Sequence, residues 1–235
     1  MARTKGNTRK ERRPSAGTGR KQTAAVPQDP VAAMPALTRV KPSTTGTVRA
    51  FYVVGIGTSA GGLEALREFF GNTPADSGLA YLVISHLPPD HKNIMGQLLQ
   101  KITKMPIVEA EDDLQVRPNH VYLIPPGREM SILRGRIQLM SPTPSKDIRF
   151  PIDFFFRSLA QDQGEHAVAV VLSGAGTDGT RGITDIKSEG GLVVVQDSQD
   201  AQYTGMPLSA VETGIADYVL PARCPRPLSN MSATP

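Results

Sequence analysis

Tryptophan is absent from this 235-residue chain, and cysteine occurs once. A lone thiol, Cys224, forms no internal disulfide and excludes any multi-cysteine metal site. It lies near the C-terminal end between Pro221 and Pro225 and is read as incidental. No apolar run approaches the roughly 20 residues that span a bilayer, so membrane insertion is not expected. The start lacks the charged, apolar and small-residue succession of a secretory signal, which makes the cytoplasm the expected location. Aromatic residues are only 5% of the chain, and none interleave with the basic residues of the first 49 positions. That removes a stacking platform for single-stranded nucleic acid, and nucleic acid is not an expected partner.

What is present is unevenly distributed. Up to Arg49 there are eleven Lys/Arg against two acidic residues, a balance of +9. The remainder carries fifteen against twenty, a balance of −5, so the high pI belongs to the N-terminal segment. Residues 1–49 have scattered apolar positions and no sustained period, too little to offset ordering entropy. They read as a basic, disordered tail whose partner, if it has one, is acidic. Residues 50–222 read as the folded domain and 223–235 as a C-terminal tail.

Within 50–222, apolar strands alternate with amphipathic helices. Strand patterns fall at 51–57, 79–85, 105–108, 119–124, 167–172, 192–196 and 218–220. Helical patterns follow Gly62, run through Ile94, Leu98, Leu99 and Ile102, start at Pro151, include Ile183 and Ile186, and start again near Pro207. Ser131 to Leu139 predicts a hairpin turning at Arg134-Gly135. Near-continuous apolar strands between helices mean an α/β fold with a doubly wound, mostly parallel sheet covered on both faces, to which the hairpin adds an antiparallel edge.

The most informative turn is Gly57-Thr58-Ser59-Ala60-Gly61. It joins the first strand to the first helix and matches the Gly-x-Ser-x-Gly nucleophile elbow. A tight structural turn would have the same composition. A dinucleotide site is a further alternative, because Gly55-x-Gly57-x-x-Ala60 fits the looser Gly-x-Gly-x-x-Gly/Ala fingerprint. That site wants a carboxylate at the end of the second strand, where this chain has His86. In open parallel sheets, sites gather at the C-terminal strand ends. Ser59, His86 and Asp178 all stand there, as nucleophile, base and orienting carboxylate. The chain order Ser, His, Asp differs from the Ser, Asp/Glu, His order of α/β-hydrolases. His91 is the rival base, whereas His120 and His166 precede strands and belong to the opposite edge. Asp178 has a structural alternative as a cap for the helix after it. Asp112 and Asp113 read as a solvated acidic loop, and Arg181 as either a contact for acidic groups or a surface helix residue.

Three segments carry a resemblance: Gly57-Thr58-Ser59-Ala60-Gly61-Gly62, Ser85-His86-Leu87-Pro88, and Leu172-Ser173-Gly174-Ala175-Gly176-Thr177-Asp178-Gly179. With Asn119 to Pro126, Pro151 to Leu159 and Tyr203 to Pro207, they resemble the catalytic domain of chemotaxis-receptor methylesterases of the CheB type. The wording is most similar to the methylesterase portion of methylesterase–methyltransferase hybrids, and the likeness runs over residues 50–222. The resemblance implies a protein-glutamate methylesterase that hydrolyses glutamate γ-methyl esters on the cytoplasmic helices of chemoreceptors, with glutamine deamidation in some members. It implies no metal and no organic cofactor. By motif, Ser59 corresponds to the nucleophile, His86 to the general base and acid, and Asp178 to the orienting carboxylate. Ala60, Gly174, Ala175 and Gly176 correspond to the oxyanion and substrate region.

The chain departs from the well-studied members at Ala60, where they have threonine, and at Ala175, where they have methionine. Alanine keeps its amide, so these changes bear on rate and substrate shape more than on reaction type. The 49 residues before the domain are too few for a receiver domain, so control by phosphorylation on the same chain is not expected. Two rival readings are a catalytically weak scaffold of the same fold that binds signalling partners, and a nucleotide-binding module.

Overall fold

A computed structural model describes residues 51–86, 94–141 and 150–224, together with Leu228 and Met231. The basic N-terminal segment, His91 and most of the C-terminal tail lie outside the described residues.

Side chains alternate across a strand, so a strand covered on both faces needs apolar residues at every position. Strand β1 (Val53–Thr58) and strand β2 (Ala80–Ser85) are buried throughout. Helix α1 (Gly62–Gly71) joins the first two strands. Helix α2 (Ile94–Gln100), β3 (Ile107–Glu109) and β4 (Val121–Leu123) come next. The hairpin β5 (Glu129–Leu133) and β6 (Arg136–Met140) precedes α3 (Pro151–Gln163) and a 3-10 turn, Gly164–His166. Then come β7 (Ala167–Val171), the third buried strand, α4 (Thr180–Ser188), β8 (Leu192–Gln196), α5 (Gly205–Glu212) and β9 (Tyr218–Leu220).

The main sheet has seven strands in the order β3-β4-β2-β1-β7-β8-β9, and every pairing in it is parallel. The chain winds outward from β1 in one direction first and in the other from β7. The reversal places the topological switch point at β1 and β7, where doubly wound sheets carry their sites. One face packs Val54, Ile56, Tyr81 and Val83 against Leu66, Phe69 and Phe70 of α1 and Leu99 of α2. The other packs Leu82, Ala169 and Val171 against α3, α4 and α5 through Phe155, Phe156, Ile183, Ile186, Met206 and Ala210.

Helix α3 lies unusually close to β1. A Cβ on Gly55 would stand 2.8 Å from Phe155 Cε1, and one on Gly57 would stand 2.5 Å from Ile152 Cγ2. Only glycine admits the helix at that distance. The Gly-x-Gly pair that resembles a dinucleotide fingerprint therefore serves helix packing, and its open side is filled by α3.

Several details refine the sequence reading. The hairpin turns at Arg134 (φ 53°) and Gly135 (φ 69°) as expected. It forms its own two-stranded antiparallel sheet beside α3, however, and adds no strand to the main sheet. Asp162 of α3 accepts the amides of Arg134 and Gly135, and Ser158 Oγ accepts that of Ile132. The third strand begins at Ile107 and leaves Met105 in the preceding turn. Helix α5 begins two residues before Pro207, which sits in the first turn where a missing N–H costs nothing. Asp112 and Asp113 lie in an exposed turn, as expected, and each has a partner there. Asp112 accepts the Leu139 amide, and Asp113 pairs with Arg136 at 2.6 Å, which holds its carboxyl below the usual range. Among the described residues, no helix is long and apolar enough to cross a membrane.

Candidate active site

Strands β1, β2 and β7 are neighbours that end level, with Thr58 opposite Ser85 and Gly57 opposite Val171. The residues that follow them emerge at one rim. Ser59 follows β1, His86 follows β2, and Asp178 ends the loop after β7.

The turn at Ser59 is fixed through Ser173, a fully buried residue just beyond β7. Ser173 O accepts the Ser59 amide at 3.0 Å and the Thr58 hydroxyl at 2.9 Å. Ser173 Oγ donates to Ala60 O at 2.9 Å and accepts the Tyr203 amide at 2.9 Å. The Ser173 amide donates to Gln196 Oε1, and Gln196 in turn donates to Asp200. The Gly62 amide returns to Ser59 O at 3.0 Å, and Gly61 takes the left-handed conformation (φ 71°) that closes the turn. With its carbonyl tied toward Gly62, the peptide after Ser59 directs the Ala60 amide the opposite way.

His86 connects the other two residues. Its Nδ1 lies 3.3 Å from Ser59 Oγ, and its Nε2 lies 2.8 Å from Asp178 Oδ2. A carboxylate only accepts, so Nε2 carries the proton. Nδ1 is then free to accept from the serine hydroxyl. The imidazole is about one-third exposed, and Asp178 is 3% exposed. The arrangement thus runs from an accessible hydroxyl to a buried acid.

Asp178 is saturated. Oδ2 accepts the Ile152 amide at 3.0 Å besides the imidazole, and Oδ1 accepts the amides of Asp153 and Gly179, each at 2.9 Å. Its main structural partner is the N-terminus of α3. The helix that follows it, α4, has Gly179 as N-cap with no side-chain cap bond. Two free amides in the first turn of α3 face the carboxylate, where the helix dipole favours negative charge. This explains the close approach at Gly57: β1 must let α3 in for its first turn to reach Asp178.

The four residues of the expected oxyanion region divide. The Gly174 amide donates to Tyr203 O at 3.1 Å and is not free to bind an oxyanion. Among the described residues, the amides of Ala60, Ala175 and Gly176 have no acceptor. Ala175 and Gly176 are exposed, and a Cβ on Gly174 would stand 3.1 Å from Ser59 Cβ, so this loop borders the serine. His166 packs on Tyr52 and His120 precedes β4, both at the opposite edge. Arg181 is exposed at the start of α4, where its amide bonds Asp153. Ser173, Gln196 and Asp153 escaped the sequence reading. The only signal was position: Ser173 directly follows a buried strand, and Asp153 sits in the first turn after a helix-starting proline.

The site thus sets a serine elbow at the switch point of a parallel α/β sheet, an imidazole on the next strand and a buried carboxylate behind it. Residues 54–224 match the family model of the CheB methylesterase. The chain belongs to the CheB methylesterase family. It is 32% identical over 190 residues to the protein-glutamate methylesterase/protein-glutamine glutaminase of Thermotoga maritima, covering 79% of this chain and 54% of that protein. It is 45% identical over 126 residues to an uncharacterized 104.1 kDa protein of Rhodobacter capsulatus, covering 54% of this chain and 13% of that one. The crystal structure of the Thermotoga maritima CheB methylesterase catalytic domain superimposes with a TM-score of 0.71 at 31% identity, over 77% of this chain and 98% of that domain. The chain spans about half the length of the methylesterase relatives it matches.

Proposed function

We propose that this chain hydrolyses glutamate γ-methyl esters on the cytoplasmic helices of chemoreceptors, yielding glutamate and methanol. The observation that carries the reading is the hydrogen-bonded line from Ser59 through His86 to Asp178.

In the proposed reaction, Ser59 Oγ attacks the ester carbonyl carbon as its proton passes to His86 Nδ1. The imidazolium is then stabilised by the Asp178 carboxylate at Nε2. The carbonyl oxygen becomes an oxyanion beside the amides of Ala60, Ala175 and Gly176. One such donor is commonly worth about 2.7–4 kcal/mol in the transition state. Collapse expels methoxide, which takes the proton from Nδ1 and leaves as methanol. Water enters and gives a proton to Nδ1 as its oxygen attacks the acyl-serine; collapse then breaks the C–Oγ bond, returns the Nδ1 proton to Ser59 Oγ and releases glutamate. The neutral ester needs no charged partner. A glutamine amide fits the same steps with ammonia as leaving group, a second activity supported by the glutaminase in the relatives' names.

The test is methanol release from a methylated chemoreceptor fragment, alongside ammonia release from its glutamine form. Methanol at a rate that depends on Ser59 supports the reading. No release above the spontaneous rate overturns it in favour of a non-catalytic scaffold.

A further inference from the structure

Helices α3 and α4 cap each other. The first-turn amides of α3, those of Ile152 and Asp153, go to the carboxylate of Asp178, which stands just before α4. The first-turn amides of α4, those of Arg181 and Gly182, go to the carboxylate of Asp153, which stands in the first turn of α3, at 2.9 and 2.8 Å. Neither helix has a side-chain cap from its own N-cap residue, Phe150 in one and Gly179 in the other. Four amides that a helix end leaves unpaired are thus satisfied crosswise by two aspartates.

The exchange is held at short range. A Cβ on Gly182 would stand 2.6 Å from Phe156 Cβ and 3.0 Å from Asp153 Cα. Asp153 is 6% exposed. Burial, and secondarily the charge of Asp178, push its carboxyl above the usual range. A second buried carboxylate beside the one that faces His86 is costly, and the amides of Arg181 and Gly182 offset part of that cost. Asp178 has no freedom of its own, because all its acceptor sites are taken and three of its donors are backbone amides. Its orientation is set by where the first turn of α3 lies, and Asp153 ties that turn to α4.

We propose that Asp153 is a positioning residue: by clamping the N-terminus of α4 to the first turn of α3, it fixes the plane of the Asp178 carboxylate and so the orientation of His86. Its link to rate rests on the esterase reading above. Asp153 touches no reacting atom and acts through Asp178.

The test compares three variants of the full chain. Asp153→Asn keeps an oxygen to accept the amides of Arg181 and Gly182. Asp153→Ala removes it. Arg157→Ala breaks a different α3–α4 link, the 3.1 Å pair of Arg157 with Asp185. The first readout needs no turnover: the NMR signal of the His86 Nε2 proton, identified by its loss in His86→Gln. The expected result is that this signal is broadened or shifted upfield in Asp153→Ala and kept in Asp153→Asn and Arg157→Ala. The second readout is ester hydrolysis. Asp153→Ala should lower kcat at least tenfold with KM within twofold, and Asp153→Asn should restore it to within threefold. An unchanged His86 signal in Asp153→Ala overturns the proposal, as does an equal change in Arg157→Ala. So does an Asp153→Asn variant that is folded and no better than Asp153→Ala. If the wild type releases no methanol, the esterase reading fails, while the His86 signal still decides the role of Asp153.

Discussion

The Ser59 amide donates to the carbonyl of Ser173 at 3.0 Å and so joins the turn after β1 to the loop after β7. That bond makes the elbow and the loop one object. Ser173 also holds Ala60 O and the Tyr203 amide through its hydroxyl, and Tyr203 O holds the Gly174 amide. The two segments that border the serine are therefore tied together by one buried side chain, and the amides of Ala60 and Ala175, which have no acceptor among the described residues, lie in those segments.

Replacing Ser173 by alanine leaves its carbonyl and amide in place but strips the partner from Ala60 O and the Tyr203 amide. Both bonds are only part-buried and Tyr203 is exposed, so water replaces part of what is lost. Urea unfolding of Ser173→Ala should show a loss of about 1 kcal/mol, the low end for an unpaired polar group. Misplaced oxyanion donors should lower kcat roughly 10- to 100-fold with little change in KM. A variant that loses stability yet keeps full kcat would show that the amides do not depend on this hydroxyl.

Ser59→Ala separates chemistry from folding. The hydroxyl's partner among the described residues is His86, so its removal leaves no buried group unpaired. Stability should stay within about 0.5 kcal/mol of wild type. On the proposed mechanism, in which serine and imidazole act as a unit, methanol release should fall by about 10⁴-fold or more. His86→Gln should cost as much, and the double variant hardly more. Additive losses would mean the two residues act independently.

Gly57→Ala probes the approach of α3. The new methyl would stand 2.5 Å from Ile152 Cγ2, and overpacking of this kind typically costs about 1–3 kcal/mol. The displaced residue is one whose amide binds Asp178, so activity should fall with stability. Combining it with Ile152→Ala removes the clashing atom. The pair should therefore be less destabilising than the sum of the single changes, measured by a double-mutant cycle. Strict additivity would refute the close contact.

Much of this was legible without coordinates, and the limit has a physical basis. Strands β1, β2, β7 and β8 declare themselves through unbroken apolar runs, and Ser59 and His86 through their places at strand ends. Asp178 was readable as a loop carboxylate after a buried strand. Its backbone partners were not, because the amides of Ile152 and Asp153 are 26 and 25 residues away and amides carry no sequence signature. The hairpin had a local signal in Arg134-Gly135, but whether it joins the main sheet is a long-range pairing decision. Gly55 and Gly57 leave a dinucleotide site as an alternative in the sequence, because a glycine that admits a helix looks the same as one that admits a phosphate, and it is His86 that disfavours it. His91 lies outside the described residues, and its rivalry with His86 is decided by comparing the His91→Gln and His86→Gln rates.

Tyr81 gives a pH test of the opposite face of the sheet. It is fully buried between Phe69 and Phe70, and its hydroxyl donates to Ser77 Oγ at 3.0 Å. Burial pushes the phenol up to about 12 from an ordinary value of 10.0. The folded protein then holds this proton more tightly than the unfolded chain does. The resulting stability is complete below pH 10 and is lost as pH rises toward 12. A shift of about two pKa units corresponds to roughly 2–3 kcal/mol. Tyr81→Phe removes the titration along with the bond to Ser77. Its stability relative to wild type should be lower near neutrality, by about 1 kcal/mol for the lost hydrogen bond, and should overtake wild type by pH 12. Urea unfolding at pH 8, 10 and 11.5 reads the crossover. Parallel curves for the two proteins would mean that the phenol ionises in the folded state without penalty, which its burial against α1 does not allow.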